Sequence, residues 1–421
     1  MRKAPVLGTA AGIIAAAATV VMFAAPTSAS GLPASAARTA TVAHPAATGS
    51  AGNIQHLCAQ TTKPGIMHCL ALARTDVAHR LGVLAAPNAT PSGYGPSTLQ
   101  GAYKLPSSSA GSGQTVALVD AYDDPNAESD LGVYRSQYGL PSCTTANGCF
   151  RKLNQSGVQG SYTTPDQGWS QETSVDLDVA SAICPGCHLM LVEGNTNSFA
   201  DLAASVNTAV RAGATIVSNS YSGQESDDIV ATFGPAYDHP GVIITVSSGD
   251  EGYGSSLRFP DDLNTVVSVG GTTLSVISPR TESAWSSAGS GCTAVSSPLT
   301  SQPAWQTADP RIRQLCSRRA YVDVSAVADP NTGVDVYDSY GMSGWLVFGG
   351  TSIGAPLIAG VYALAGNASS AGPAYPYNHS QSLNDVNGGS NGTCGGSGIC
   401  MSSSHWDGPT GLGSPNGIGG F

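Results

Sequence analysis

The chain has 421 residues, of which 41% are hydrophobic and 52 are glycine, enough apolar material for one large loop-rich domain and too much for a disordered chain. Lys and Arg total 17 against 28 Asp and Glu, a formal charge of −11, and the basic residues are scattered rather than striped. That distribution argues against a nucleic-acid partner.

The first thirty residues, MRKAPVLGTAAGIIAAAATVVMFAAPTSAS, have a basic start, an apolar middle and small residues at Thr27, Ser28 and Ala29. They read as a secretory signal over 1–29 with cleavage near Ala29. An uncleaved anchor is the alternative, because the apolar run is nearly long enough to span a bilayer. No second span follows, so the mature protein is expected to be secreted, off the membrane after processing, and monomeric. Residues 30–91 are rich in Ala, Thr, Ser and Pro around HLCAQTTKPGIMHCLALARTD, a small stapled unit within a pro-region or spacer. The ten cysteines suit export, since they fall into local pairs: Cys58 with Cys69, Cys143 with Cys149, Cys184 with Cys187, Cys292 with Cys316, and Cys394 with Cys400. Metal ligation by Cys184 and Cys187 is the rival, but a lone CxxC is a weak zinc signal.

From Gln114 onward, strand-like runs alternate with helical ones: TVALVDAY, SVDLDVASAI, HLMLVEG, SFADLAASVNTAVRAG, TIVSNSY, VIITVSSGD and VVSVGGTTL. The alternation predicts an α/β fold, a doubly wound parallel sheet with helices on both faces. Functional residues of such a sheet gather at the carboxyl ends of strands. Asp250 follows VIITVSS and Ser352 follows GWLVFGG. The run SNSYSG, residues 218–223, also follows a strand and either lines a cleft around Tyr221 or makes a plain turn.

Ser352 heads the segment GGTSIGAPLIAG, and a serine hydroxyl needs a base to become a nucleophile. Of the eight histidines, four lie in the N-terminal region, His188 begins an apolar strand, and no HGTH-like run surrounds any of them. GTSIG also satisfies the short G-x-S-x-G pattern of an α/β-hydrolase, with Asp385 and His405 following in order, but residues 367–421 leave little room for that fold's later elements.

A carboxylate is the other candidate base. In GWSQETSVDLDVASAICPG, Glu172 and Asp176 stand four apart in a helical pattern and therefore share a face. Two acids so close tend to share a proton, which tunes them for proton transfer in acid; alternatively both decorate a helix start. Asp178 points elsewhere and is expected to cap or pair locally. In SSGDEG, Asp250 is either a turn residue or a buried neutral acid that donates to an oxyanion.

Glu172 with Asp176, SSGD at Asp250 and GGTSIGAP at Ser352, in that order, resemble the sedolisin family of serine-carboxyl peptidases, from about Gly111 to the C-terminus. The resemblance implies a subtilisin-like fold, with residues 92–421 as the peptidase domain. It makes Glu172 the general base, Asp176 its proton-sharing partner, Ser352 the nucleophile and Asp250 part of the oxyanion hole. It also implies a calcium site, with carboxylates from Asp385 and Asp407 and main-chain carbonyls from Val386, Ser403 and His405, although the family pattern has glycines where Ser403 and His405 stand. The activity implied is that of a secreted, acid-active endopeptidase acting on peptides or proteins; a catalytically silent relative is the alternative. The family's propeptide is longer than the residues available here, and its serine motif more often reads SGTS.

Overall fold

A computed structural model describes residues 53–421 apart from residues 62, 81–90, 277–278 and 342–343, with the backbone alone at 78–80. The expected signal segment and its cleavage point lie outside the described residues.

The centre is one eight-stranded sheet. Its strands are β1 (Thr115–Ala121), β2 (Phe150–Asn154), β3 (His188–Gly194), β4 (Ile216–Asn219), β5 (Ile243–Ser247), β6 (Val267–Ser275), β7 (Thr281–Ala284) and β8 (Val324–Val327). They lie in the order β7-β6-β5-β4-β1-β3-β2, with β8 also paired to β6. Every pairing is parallel except that of β6 with β7. β1 and β3 run in register from Thr115 beside His188 to Ala121 beside Gly194.

Strand residues alternate between two apolar layers, as the pleat requires. Val116 and Leu118 of β1 face the helices α1 (Gln167–Ile183) and α3 (Gly354–Ala365), whereas Ala117 and Val119 face α2 (Phe199–Arg211). The doubly wound expectation is therefore met, with a subtilisin-like arrangement of sheet and helices. One strand was misplaced by the sequence: GWLVFG, residues 344–349, does not join this sheet. It forms β10 (Gly344–Gly349), antiparallel to β9 (Val334–Asp338) in a separate four-stranded sheet. An apolar run marks a buried strand but does not say which sheet buries it.

α1 explains why its acids lie in the interior. The Asp166 side chain caps its first turn by accepting from Trp169 N–H at 3.1 Å, and every residue from Trp169 to Ile183 is buried. α3 crosses it closely at Gly360, where a β-carbon would sit 2.7 Å from Ile183 Cγ2. The five expected cysteine pairs are all disulfides, and no free cysteine remains among the described residues. The rival metal role for Cys184 and Cys187 is overturned, because their thiolates are consumed by that bond.

Candidate active site

α1 supplies the first two groups. Glu172 and Asp176 lie one turn apart on the same face, each with no solvent exposure. Ser352 comes from the short helical turn Thr351–Ile353 that leads into α3, and it too is fully buried. Asp250 follows the carboxyl end of β5 through Ser248 and Gly249, the latter in a left-handed conformation at φ +94°.

These four residues converge. The Ser352 hydroxyl donates a long 3.4 Å bond to the Ser220 carbonyl and lies against Glu172, whose Oε1 has no other partner. Glu172 Oε2 accepts from the Ala71 N–H at 2.9 Å. Asp176 Oδ1 accepts from Ser220 Oγ at 2.7 Å. The SNSYSG run thus borders Asp176 and Ser352 rather than making a bare turn. Ser220 holds Asp176, and Tyr221–Gln224 forms a second strand along the site.

Asp120 was missed in the sequence. It stands in β1 among apolar residues, yet it is wholly buried beside the pair and its charge pushes both Glu172 and Asp176 upward. Burial is the larger cause for each, and Asp120 itself is raised to about 8. Three carboxyls in one dry site therefore keep protons that water-exposed acids would lose.

Asp250 is raised as well, by burial first and by the neighbouring Glu251 second. Its Oδ1 accepts from both the N–H and the hydroxyl of Thr351 at 2.8 Å each. Its Oδ2 has no partner among the described residues and faces the backbone of Gly350. A neutral acid held in that way carries its proton on Oδ2.

No described histidine bonds to Ser352. The α/β-hydrolase reading fails on geometry: Asp385 accepts from the backbone N–H of His405 at 3.0 and 3.1 Å, and the exposed His405 is not turned into a triad. Nor is Ser352 on a left-handed elbow. Asp178 also departs from expectation, since it is buried and accepts from Tyr337 N–H of β9 at 2.9 Å rather than pairing locally.

A model of the subtilase family matches residues 154–381, more than half of the chain. The chain belongs to the subtilase family. Among proteins similar to this subtilase, kumamolisin from Bacillus sp. (strain MN-32) is 27% identical over 370 residues, covering 79% of this chain and 63% of that protein. Sedolisin from Pseudomonas sp. (strain 101) is 26% identical over 373 residues, covering 77% of this chain and 60% of that protein. The subtilase thus spans less than two thirds of the length of either relative. The solved structure of Pseudomonas sedolisin, a serine-carboxyl proteinase complexed with two molecules of pseudo-iodotyrostatin, superposes with a TM-score of 0.61 at 24% identity, over 78% of this chain and 96% of that one. These likenesses agree with the sedolisin-family resemblance read from the sequence.

The C-terminal residues expected to hold calcium do gather in one loop cluster of the subtilase. Asp385 is tied to His405, Asp407 Oδ2 accepts from Ser403 N–H at 2.9 Å, and the Val386 carbonyl accepts from Ser402 Oγ at 2.6 Å. Their oxygens are of the type that calcium takes, while N–H donors now occupy both carboxylates. Among the described residues no group of three or more His, Cys, Asp or Glu forms a metal cluster, so carbonyl ligands would have to complete any site. No described helix is long and apolar enough to cross a membrane.

Proposed function

We propose that this chain is a secreted, acid-active serine-carboxyl endopeptidase, with a signal over 1–29, a pro-region over 30–91 and a peptidase domain over 92–421. The observation that carries the reading is the buried contact of Ser352 with Glu172, whose neighbour Asp176 is tied in through Ser220, with no histidine bonded to Ser352 among the described residues.

In this reading Ser352 attacks the substrate carbonyl while Glu172 Oε1, free of other partners, takes the hydroxyl proton. The protons shared by the coupled acids rest on Asp176, held by Ser220, and on Asp120, which leaves Glu172 as the ionised member that accepts one in acid. Glu172 then returns the proton to the leaving nitrogen, and water, activated by the same carboxylate, hydrolyses the acyl-enzyme. Asp250 donates from Oδ2 to the oxyanion. The test compares hydrolysis of an unfolded protein at pH 4 and pH 7.5 by the wild type and by Ser352→Ala. We expect cleavage by the wild type in acid and none by the variant. A fully folded wild type inert at both values would instead mark a silent binding relative.

Calcium belongs to the same proposal, held by the carboxylates of Asp385 and Asp407 and the carbonyls of Val386, Ser403 and His405. When bound it would tie two loops together through hard oxygen ligands. Millimolar calcium should then raise the melting temperature of the wild type, as ligation of the folded state requires, and leave Asp385→Ala unmoved. Equal responses from both proteins would remove calcium from these residues.

A further inference from the structure

A half-open cavity of about 840 Å³ lies apart from the proposed catalytic groups, in the size range of pockets that hold small ligands, roughly 300–1,000 Å³. Its position is fixed by β8. Two of its lining aromatics are tied to the residues just before that strand: Trp406 Nε1 donates to the Val322 carbonyl at 2.9 Å, and the Tyr377 hydroxyl donates to Asp323 Oδ1 at 2.8 Å while accepting from Gln306 Nε2 at 2.9 Å. Just after the strand, the Ala328 carbonyl accepts from the N–H of Gly350, two residues before Ser352, at 2.7 Å. The length of β8, Val324–Val327, therefore separates the cavity from the nucleophile.

Trp305, Tyr377 and Trp406, with Leu383 and Leu412, give the cavity an apolar floor. With their polar atoms engaged elsewhere, Tyr377 and Trp406 offer it ring carbon. The rim is polar and mixed in charge, with Asp309 and Asp385 set against Arg311 and His405, beside the amides of Asn378 and Gln381. The side chains of Asn378, Gln381 and His405 are exposed and bond to no described group.

His405 stands there against its backbone. Its φ of +67° lies in the left-handed region that glycine enters freely, and the family pattern has glycine at this position. A main-chain carbonyl for calcium would be supplied equally well by glycine, so the backbone gives no reason for the imidazole. The cavity that the imidazole lines is what it can serve.

We propose that this cavity binds a short stretch of a neutral polysaccharide, attaching the protein to a carbohydrate matrix at a site separate from the catalytic groups. A pyranose ring has an apolar C–H face and a border of hydroxyls, each of which both donates and accepts. The aromatic floor takes the face; the amides, guanidinium and imidazole donate to the hydroxyls, and the two carboxylates accept from them. An anion or a cation would meet opposed charges on the rim. An apolar side chain would fill the floor but leave the rim's donors and acceptors desolvated without partners. A peptide backbone binds best along a strand edge, and the lining offers only Leu383–Asn384, a two-residue strand already paired with Ser414–Pro415. Binding does not depend on the peptidase reading, but it suits it: a tethered peptidase stays at high local concentration beside proteins held in the same matrix.

The experiment measures retention of the full-length wild type and of Ser352→Ala on insoluble cellulose, chitin, xylan and starch, and follows tryptophan fluorescence during titration with the matching soluble oligosaccharides. At least one of the four polysaccharides should retain both proteins and release them to its own oligosaccharide. Trp305→Ala should weaken binding by about 10-fold or more, the scale of a lost aromatic anchor. The exposed variants Asn378→Ala and Gln381→Ala should each weaken it with unchanged melting temperatures, which separates lost contacts from lost fold. Retention on none of the four overturns the proposal, and so does retention that survives Trp305→Ala and both amide variants. A Trp305→Ala change that weakens binding of an unfolded protein to the Ser352→Ala background, while polysaccharide retention stands, makes the cavity a peptide site and also overturns it. None of these outcomes touches the chemistry assigned to Ser352.

Discussion

Glu172→Ala should lower kcat for peptide hydrolysis at pH 4 by on the order of 10⁶-fold, the cost of removing one member of the proposed nucleophile–base unit. The magnitude follows from the absence of a substitute. Ser352 has no bonded histidine among the described residues, and of the other buried acids of the site Asp176 is already engaged by Ser220, Asp250 by Thr351, and Asp120 lies in β1. The companion variant Glu172→Gln separates chemistry from structure. Burial and the Asp120 charge raise the Glu172 pKa well above its ordinary 4.5, so between that value and the raised one the folded protein holds a proton that the unfolded chain has lost. The associated stability is fully present below the unfolded value and is lost as pH rises toward the folded one. Glutamine cannot ionise. The melting temperature of Glu172→Gln should therefore fall less steeply than that of the wild type above pH 4.5, while its activity is as low as that of Glu172→Ala. Activity within tenfold of wild type in either variant would remove Glu172 from the base role.

The acids and the serine of the proposed site were readable because each announces itself locally. Four-residue spacing puts Glu172 and Asp176 on one helix face, and glycines bracket both Asp250 and Ser352. The residues that complete the site do not. Asp120 sits in the apolar run TVALVDAY, where nothing nearby distinguishes a catalytic neighbour from a strand-end acid, and only the β1 position beside α1 reveals it. Asp178 looked local because its partner, Tyr337, is 159 residues away. The strand of residues 344–349 was assigned to the wrong sheet for the same reason, since pairing partners such as Ala73 and Phe348 are not encoded by period. The paired segments Ile54–His56 and Leu72–Arg74 combine both failures: they read as part of a pro-region or spacer until the Ala71 N–H is seen on Glu172.

Asp250→Ala should lower kcat by roughly 10²–10³-fold, the cost of one oxyanion donor, with the fold retained. Asp250→Asn should keep most of the activity and carry it further toward neutral pH. The sign follows from the raised pKa: below it Asp250 is neutral and can donate, and above it the ionised carboxylate only accepts and repels a developing oxyanion. The alkaline limb of the wild-type profile therefore includes the loss of this donor. The acid limb reports the coupled Asp120, Glu172 and Asp176 group, so the comparison is drawn on the alkaline side. Geometry makes asparagine the informative substitute. Asp250 Oδ1 receives two donors from Thr351 and must remain an acceptor, which fixes Oδ2 as the donating atom. An asparagine seated the same way keeps its carbonyl oxygen on Thr351 and turns its amide N–H₂ to the vacant side, donating at every pH. Full pH profiles of wild type, Asp250→Asn and Asp250→Ala on one peptide decide the matter. An Asp250→Asn profile with an unshifted alkaline limb would mean that the limb belongs to the carboxylate cluster and that Asp250 holds Thr351 without serving the oxyanion.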